Sequence, residues 1–267
     1  MNHIQISIEA SEEQQELLIS ELSDLGATGF EQTNTHLLVY FDEEGFPSYE
    51  VNEVLEGHNT TVQTIAQQNW NALWESNFQP VIVDDFCAVR AHFHEPVQGM
   101  QHEILITPKM SFGTGHHATT WMMMQQMRGI DFNGKQVFDF GTGTGILAIL
   151  AEKLGAANID AIDNDEWSIE NGIENAERNN CSRINLYLDS SVPGKQYDII
   201  LANINRNVIL MHLEHLVKAV VPQGLILFSG LLTTDEEVIV KACETHGLKL
   251  IKQQSRNNWI SLLMQCA

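Results

Sequence analysis

The chain has 267 residues, 43% of them hydrophobic and 18% charged, which is an ordinary globular composition. No apolar run approaches the roughly 20 residues of a membrane span. The formal net charge is −21; no Lys or Arg precedes Arg90, whereas sixteen Asp and Glu lie between Glu9 and Asp85. Such a surface repels a phosphate backbone and attracts a basic protein, so a nucleic-acid substrate is disfavoured.

In chain order, His3 to Ile8 alternates apolar and polar residues and predicts a strand. Ser11 stands where a helix N-cap belongs, with Glu12 and Glu13 behind it and apolar residues at Leu17, Leu18 and Leu22; Gly26 stops that helix. Gly29 to Thr33 and His36 to Phe41 read as a hairpin around Asn34. A short helix follows from Pro47 to Leu55, then a strand from Thr60 to Ala66. The order β-α-β-β-α-β is that of a ferredoxin-like split unit. Trp70, Trp74 and Phe78 form a helical aromatic stripe, read as a helix between two domains, and the boundary is placed at 67–80. After Pro80 the chain reads as extended through His94, and again from Glu103 to Thr107.

From Gln136 onward strands alternate with helices. Strands are expected at Gln136 to Phe140, Asn158 to Ile162, Ile184 to Leu188, Asp198 to Ala202, Leu225 to Ser229, Lys249 to Gln253 and Trp259 to Met264, in a doubly wound α/β sheet. Only Gln254 to Asn258 separates the last two, too little for a parallel crossover, so the last strand should run antiparallel to its predecessor.

Four segments carry chemistry. Asp139-Phe140-Gly141-Thr142-Gly143-Thr144-Gly145 follows a strand and opens a helix, and its glycines let the backbone turn tightly beside a ligand. The dinucleotide fingerprint fails when started at Gly141, but Gly143 to Ala148 fits its alanine form, so a nicotinamide enzyme stays open at this point. Asp163, at the end of the next strand, can accept hydrogen bonds from ribose hydroxyls of either cofactor type. Asn164, Asp165 and Glu166 read as helix-start residues. Ala202-Asn203-Ile204-Asn205 ends the fourth strand of this sheet; Asn203 can accept hydrogen bonds from an amine through its carbonyl oxygen, and Asn205 reads as a helix cap. Ser111 to Thr120 is a glycine-rich turn entering a helix, suited to cover a bound ligand. His92-Phe93-His94 and His212-Leu213-Glu214-His215 are read as surface or capping histidines, and no metal is expected. Cys87, Cys181, Cys243 and Cys266 are scattered, as buried thiols in a reducing compartment would be. Met1 to Ala10 lacks the basic and apolar regions of a secretory signal, so a cytoplasmic protein is expected.

Together these segments resemble the ribosomal protein L11 methyltransferase family, over essentially the whole chain. The likeness is carried by Asn69 to Pro80, by Phe112-Gly113-Thr114-Gly115 through Thr119-Thr120, by Asp139 to Ile149, by Ala202-Asn203-Ile204 and by Phe228-Ser229-Gly230. The chain departs from the family at His116-His117-Ala118, where Thr-His-Pro is usual, and at Thr142, where Cys is common. The resemblance implies a Rossmann-like seven-stranded class I methyltransferase domain over 81–267. A small ferredoxin-like α+β substrate-recognition domain over 1–66 and a linker helix over 67–80 would precede it. It implies S-adenosylmethionine as cofactor, bound by Thr120, Asp139, Gly141, Gly143, Gly145, Asp163 and Asn203. Asn203 would also hold the acceptor amine, and Phe112, Gly113, Thr114, Gly115 and His116 would form the lid over the substrate. The implied substrate is a basic ribosomal protein, methylated on lysine or N-terminal amines by a monomeric enzyme. The alternatives are another N-methyltransferase of the same fold, or a module that binds the cofactor without chemistry.

Overall fold

The computed structural model describes residues 3–65, 79–107 and 117–267. The chain divides into two compact units, Met1–Phe78 and Gln79–Ala267. The aromatic stripe of Trp70, Trp74 and Phe78 lies outside the described residues, as do the five lid residues Phe112 to His116.

The first unit runs β1 (His3–Glu9), α1 (Glu12–Asp24), β2 (Gly29–Gln32), β3 (His36–Asp42), α2 (Ser48–Val54) and β4 (Thr60–Ile65). Its four strands form one antiparallel sheet in the order β2-β3-β1-β4. Alternation sends Ile6, Ile8, Leu37, Val39 and Phe41 to one face, where they meet Leu18 and Leu22 of α1 and Val51 of α2. Ser11 caps α1, its N–H held by Gln14 Oε1 at 2.9 Å. Leu17, which the sequence pattern groups with the core, is 69% exposed. One residue is a 100° turn of an α-helix, so Leu17 and Leu18 cannot both face the sheet.

The second unit opens with β5 (Val81–Val83), β6 (Cys87–Ala91) and β7 (His102–Ile106), which form a separate three-stranded sheet. Then come α3 (Ala118–Met127), β8 (Gln136–Phe140), α4 (Ile146–Lys153), β9 (Asn158–Asp163), α5 (Glu166–Arg178), β10 (Ile184–Leu188) and β11 (Tyr197–Asn203). The chain ends with α6 (Arg206–Ala219), β12 (Val220–Leu232), α7 (Glu236–Thr245), β13 (Leu248–Arg256) and β14 (Trp259–Cys266). The seven strands from β8 on form one sheet in the order β10-β9-β8-β11-β12-β14-β13. All neighbours are parallel except β14, which is antiparallel to both β12 and β13. The strands prove longer than their apolar pattern at the last hairpin. Asn257 (φ 50°) and Asn258 (φ 63°) both adopt the left-handed conformation, so two residues suffice to turn the chain.

Helix α4 is buried from Ile146 through Ala151 because it lies against both β7 and the main sheet, which explains its lack of a polar face. Helix α6 lays Ile209, Leu213 and Leu216 on Phe138, Phe140, Ile200 and Phe228 of the sheet. No helix among the described residues is long and apolar enough to cross a membrane.

The strand order reverses beside β8. From β8 the chain moves outward to β9 and β10, then returns to place β11 on the other side of β8. In an open α/β sheet this reversal leaves a crevice at the carboxyl ends of the two central strands, where ligands bind. Asp139 to Gly145 and Asn203 stand at those two ends.

Candidate active site

Strand β8 ends at Phe140 and the backbone turns through three left-handed glycines, Gly141 (φ 75°), Gly143 (φ 55°) and Gly145 (φ 77°). The turn is tied to the neighbouring strand. The N–H groups of Gly141 and Thr142 both donate to the Ile162 carbonyl at 2.9 Å, and the Gly143 N–H donates to Asp163 Oδ2 at 2.9 Å. Asp163 Oδ1 accepts the Asp165 N–H at 3.1 Å. Each carboxylate oxygen keeps a second lone pair, which is what ribose hydroxyls require. At Gly141 a Cβ would collide with the Ile204 side chain, so a larger residue there would have to displace Ile204 and strain the left-handed backbone.

Asp139 is fully buried beneath this turn, with Oδ2 accepting the Thr142 hydroxyl at 2.7 Å. Burial, reinforced by the nearby Asp163 charge, pushes its carboxyl up to about 7 against the opposing pull of the Thr142 bond.

Across the crevice, β11 ends at Asn203. Its Nδ2 donates to Thr120 Oγ1, in the first turn of α3, at 3.2 Å. Its Oδ1 is buried with no hydrogen-bond partner among the described residues. Asn205 caps α6, accepting the Val208 N–H at 3.1 Å, and Asp165 caps α5, accepting the Ser168 N–H at 3.2 Å. Ile204 runs between the glycine turn and Gly230 (φ 81°), where a Cβ would strike the Ile204 backbone.

Between these elements lies a cavity of about 520 Å³. Of the residues expected at a cofactor, Gly141, Gly143, Asp163 and Asn203 line it. Asp139, Gly145 and Thr120 stand behind that lining: Asp139 bonded to Thr142 of the turn, Gly145 at the N-terminus of α4, and Thr120 against Asn203. Asn164 lines the cavity as well, in addition to leading into α5.

Sequence reading did not single out Asp189 and Ser190, just beyond β10, nor Val208 and Met211 on α6, and it took His212 for a surface or capping histidine, whereas His212 stands inside α6 and lines the cavity. An acid at the carboxyl end of the third strand was the available sign for Asp189; the spacing 208, 211, 212 was the one for α6. Asp189 Oδ1 accepts the N–H groups of Ser190 and Ser191 at 2.7 and 2.9 Å and the Ser191 hydroxyl at 2.7 Å. Led by the Ser191 hydroxyl, these bonds hold its carboxyl below the ordinary range. His212 sets its ring edge-on to Phe140 at 5.1 Å, a packing role within the wall.

The described wall therefore holds two carboxylates, Asp163 and Asp189, and no Lys or Arg. That electrostatic character suits a cationic nucleoside and opposes the pyrophosphate of a dinucleotide. A cradle closed to side chains, a ribose-type acid and an orphaned buried acceptor together fit S-adenosylmethionine.

A family model described as ribosomal protein L11 methyltransferase (PrmA) matches residues 48–267. The ribosomal protein L11 methyltransferase of Porphyromonas gingivalis is 38% identical over 260 residues, covering 92% of this chain and 89% of its own. That of Chlorobaculum tepidum is 36% identical over 280 residues, covering 99% and 96%. A solved structure, the ribosomal protein L11 methylase of Lactobacillus delbrueckii subsp. bulgaricus, superposes with a TM-score of 0.66 at 27% identity, over 71% of this chain and all of the other. The match of this family model to most of the chain, and relatives more than a third identical along nearly its full length, make the chain a member of the ribosomal protein L11 methyltransferase family.

Proposed function

We propose that the chain transfers methyl groups from S-adenosylmethionine to lysine side-chain and N-terminal amines of ribosomal protein L11. The observation that carries this reading is the Asn203 amide. Its donor end is occupied by Thr120 while its buried acceptor end has no partner among the described residues. A buried carbonyl oxygen left this way calls for a donor from a ligand, and an amine N–H at the cavity wall is such a donor.

The cofactor's sulfonium supplies an already activated methyl group. The chain's own part is binding and alignment. Asp163 would take the ribose hydroxyls, the turn at Gly141, Gly143 and Gly145 would admit the cofactor against bare backbone, and Asp139 would brace that turn through Thr142. Asn203 Oδ1 would accept a hydrogen bond from the acceptor amine and orient its lone pair. A free lysine must first lose a proton, at a cost of about 4–5 kcal/mol at pH 7; a positive neighbour in a buried site lowers that cost. Asn203 has no proton-accepting capacity at this pH, so its role is orientation of the neutral amine.

The acid-rich first unit, with its β2-β3-β1-β4 sheet in β-α-β-β-α-β order, supports a ferredoxin-like substrate-recognition domain over 1–66. The linker over 67–80 and the lid residues Phe112, Gly113, Thr114, Gly115 and His116 belong to the same proposal. The partner is a basic protein and not a nucleic acid, met by a monomer in the cytoplasm. Intact-mass analysis of ribosomal protein L11 after incubation with enzyme and cofactor tests the reading. Mass increments of one or more methyl groups are expected; an unchanged mass, or methylation confined to other molecules in a lysate, overturns it.

A further inference from the structure

Helix α5 and its C-cap carry Asn171, Asn175 and Asn179 at i, i+4 and i+8, along one face. Asparagine is a poor helix former, and a buried amide needs partners at both ends. Asn171 and Asn175 are nonetheless completely buried. The three amides grip the backbone at the end of β7. Asn179 accepts the Leu105 N–H at 3.0 Å and donates to the Leu105 carbonyl at 2.6 Å. Asn171 donates to the Thr107 carbonyl at 3.2 Å, and Asn175 Oδ1 accepts the Thr107 N–H at 2.7 Å.

Asn175 Nδ2 donates to Asn171 Oδ1 at 3.2 Å, within the same row of amides, and Asn179 Nδ2 donates to the Asn175 carbonyl at 2.8 Å; Asn175 alone of the two also reaches the glycine turn. Its Nδ2 also donates to the carbonyl of Thr144, between Gly143 and Gly145, at 2.9 Å. Helix α5 runs close to the glycine turn at Gly172, where a Cβ would lie in ordinary contact, 3.5 Å, with the Gly143 carbonyl and would crowd the Leu186 side chain of β10 at 2.8 Å. The turn is thus held on both sides: Asp163 takes the Gly143 N–H from the strand side, and Asn175 donates to the Thr144 carbonyl from the helix side.

We propose that Asn175 is a positioning residue for the cofactor turn, fixing the Thr144 carbonyl of that turn against the Thr107 N–H at the end of β7. This rests on the cofactor reading given above, and adds to it a residue that touches neither cofactor nor substrate. Because the turn and the strand end share one amide, cofactor seated on the turn should also stabilise the Thr107 hydrogen bond, 68 residues away from Asn175 in sequence.

The test compares Asn175→Asp with Asn179→Ala in the full chain. Asn175→Asp keeps an acceptor for Thr107 and replaces the donor shared by the Thr144 carbonyl and Asn171 Oδ1 with a repelling oxygen; Asn179→Ala loses the same kind of grip on β7 without touching the turn. Titration calorimetry with S-adenosylhomocysteine should show affinity lowered about tenfold by Asn175→Asp and unchanged within about twofold by Asn179→Ala, each variant's melting temperature being recorded alongside. Equal affinity for wild type and Asn175→Asp, or equal losses in the two variants, would overturn the proposal. Should Asn175→Asp fail to fold, amide hydrogen exchange on the wild-type chain decides. The Thr107 and Gly143 amides should both slow when S-adenosylhomocysteine is added, and an unaffected Thr107 amide overturns the proposal. No uptake of S-adenosylhomocysteine by the wild-type chain would overturn the cofactor reading, and this inference with it.

Discussion

Asn203 has its two amide ends in different surroundings, and the difference sets its use. Thr120 takes the donor end, so the carbonyl end is left facing a requirement that no described residue meets. Replacing Asn203 by Ala should therefore lower kcat on the order of a hundredfold, through lost alignment of the acceptor amine. The dissociation constant of S-adenosylhomocysteine should stay within about threefold, because the substrate's acceptor amine is absent from that complex. Equal losses in turnover and in binding would show that Asn203 serves the cofactor rather than the amine. The sequence already marked Asn203, since a strand end followed by a capped helix is visible as Ala202 to Asn205. The assignment of the amide's two ends was not visible, because Thr120 lies 83 residues away.

Among the elements, the segment joining β11 to α6 shows how glycines placed far apart in sequence act together. Ile204 passes between Gly141 and Gly230, and a Cβ at either would meet it. Gly230→Ala would force a methyl group onto the Ile204 backbone in addition to a left-handed φ. The expected loss of stability is about 1–3 kcal/mol from backbone strain alone, with more from the clash. Gly45→Ala is the control: it has a comparable φ of 84° but open space around its Cβ, so its loss should be the smaller of the two. Denaturant unfolding of both variants checks the order, and equal losses would mean that the clash at Ile204 is relieved without cost. Hydrophobic period placed most strands and helices of the second unit correctly, because burial on a sheet face imposes that period. It shortened β13 and misassigned Leu17, as neither a left-handed asparagine turn nor the choice between adjacent helix positions leaves a trace in hydropathy.

For the whole molecule, charge is the distinguishing property. Residues 1–78 hold fourteen acids and no Lys or Arg, so −14 of the net −21 lies on the first unit. A basic protein substrate would be steered by that field, which is screened over about 10 Å at 0.1 M salt. Raising ionic strength should therefore increase KM for ribosomal protein L11 severalfold while leaving S-adenosylhomocysteine affinity much less affected. Deleting residues 1–66 should abolish protein methylation and leave cofactor binding intact. A truncated chain that still methylated the ribosomal protein at the full rate would remove the first unit from substrate recognition.

By itself the sequence determined what is local: the strand and helix periods, the caps at Ser11, Asp165 and Asn205, the glycine turn with Asp163 after it, and the one-sided charge. These depend on spacing along the chain and on residue chemistry. The tertiary structure alone decided which distant groups meet. It placed Asp189 and the α6 face on the cavity wall, turned the Asn203 carbonyl away from Thr120, buried Asp139 under its own turn, and brought three asparagines of α5 to the end of β7. Each of those follows from strand order and helix approach, which bring together residues separated by tens of positions and so leave no periodic mark in the sequence.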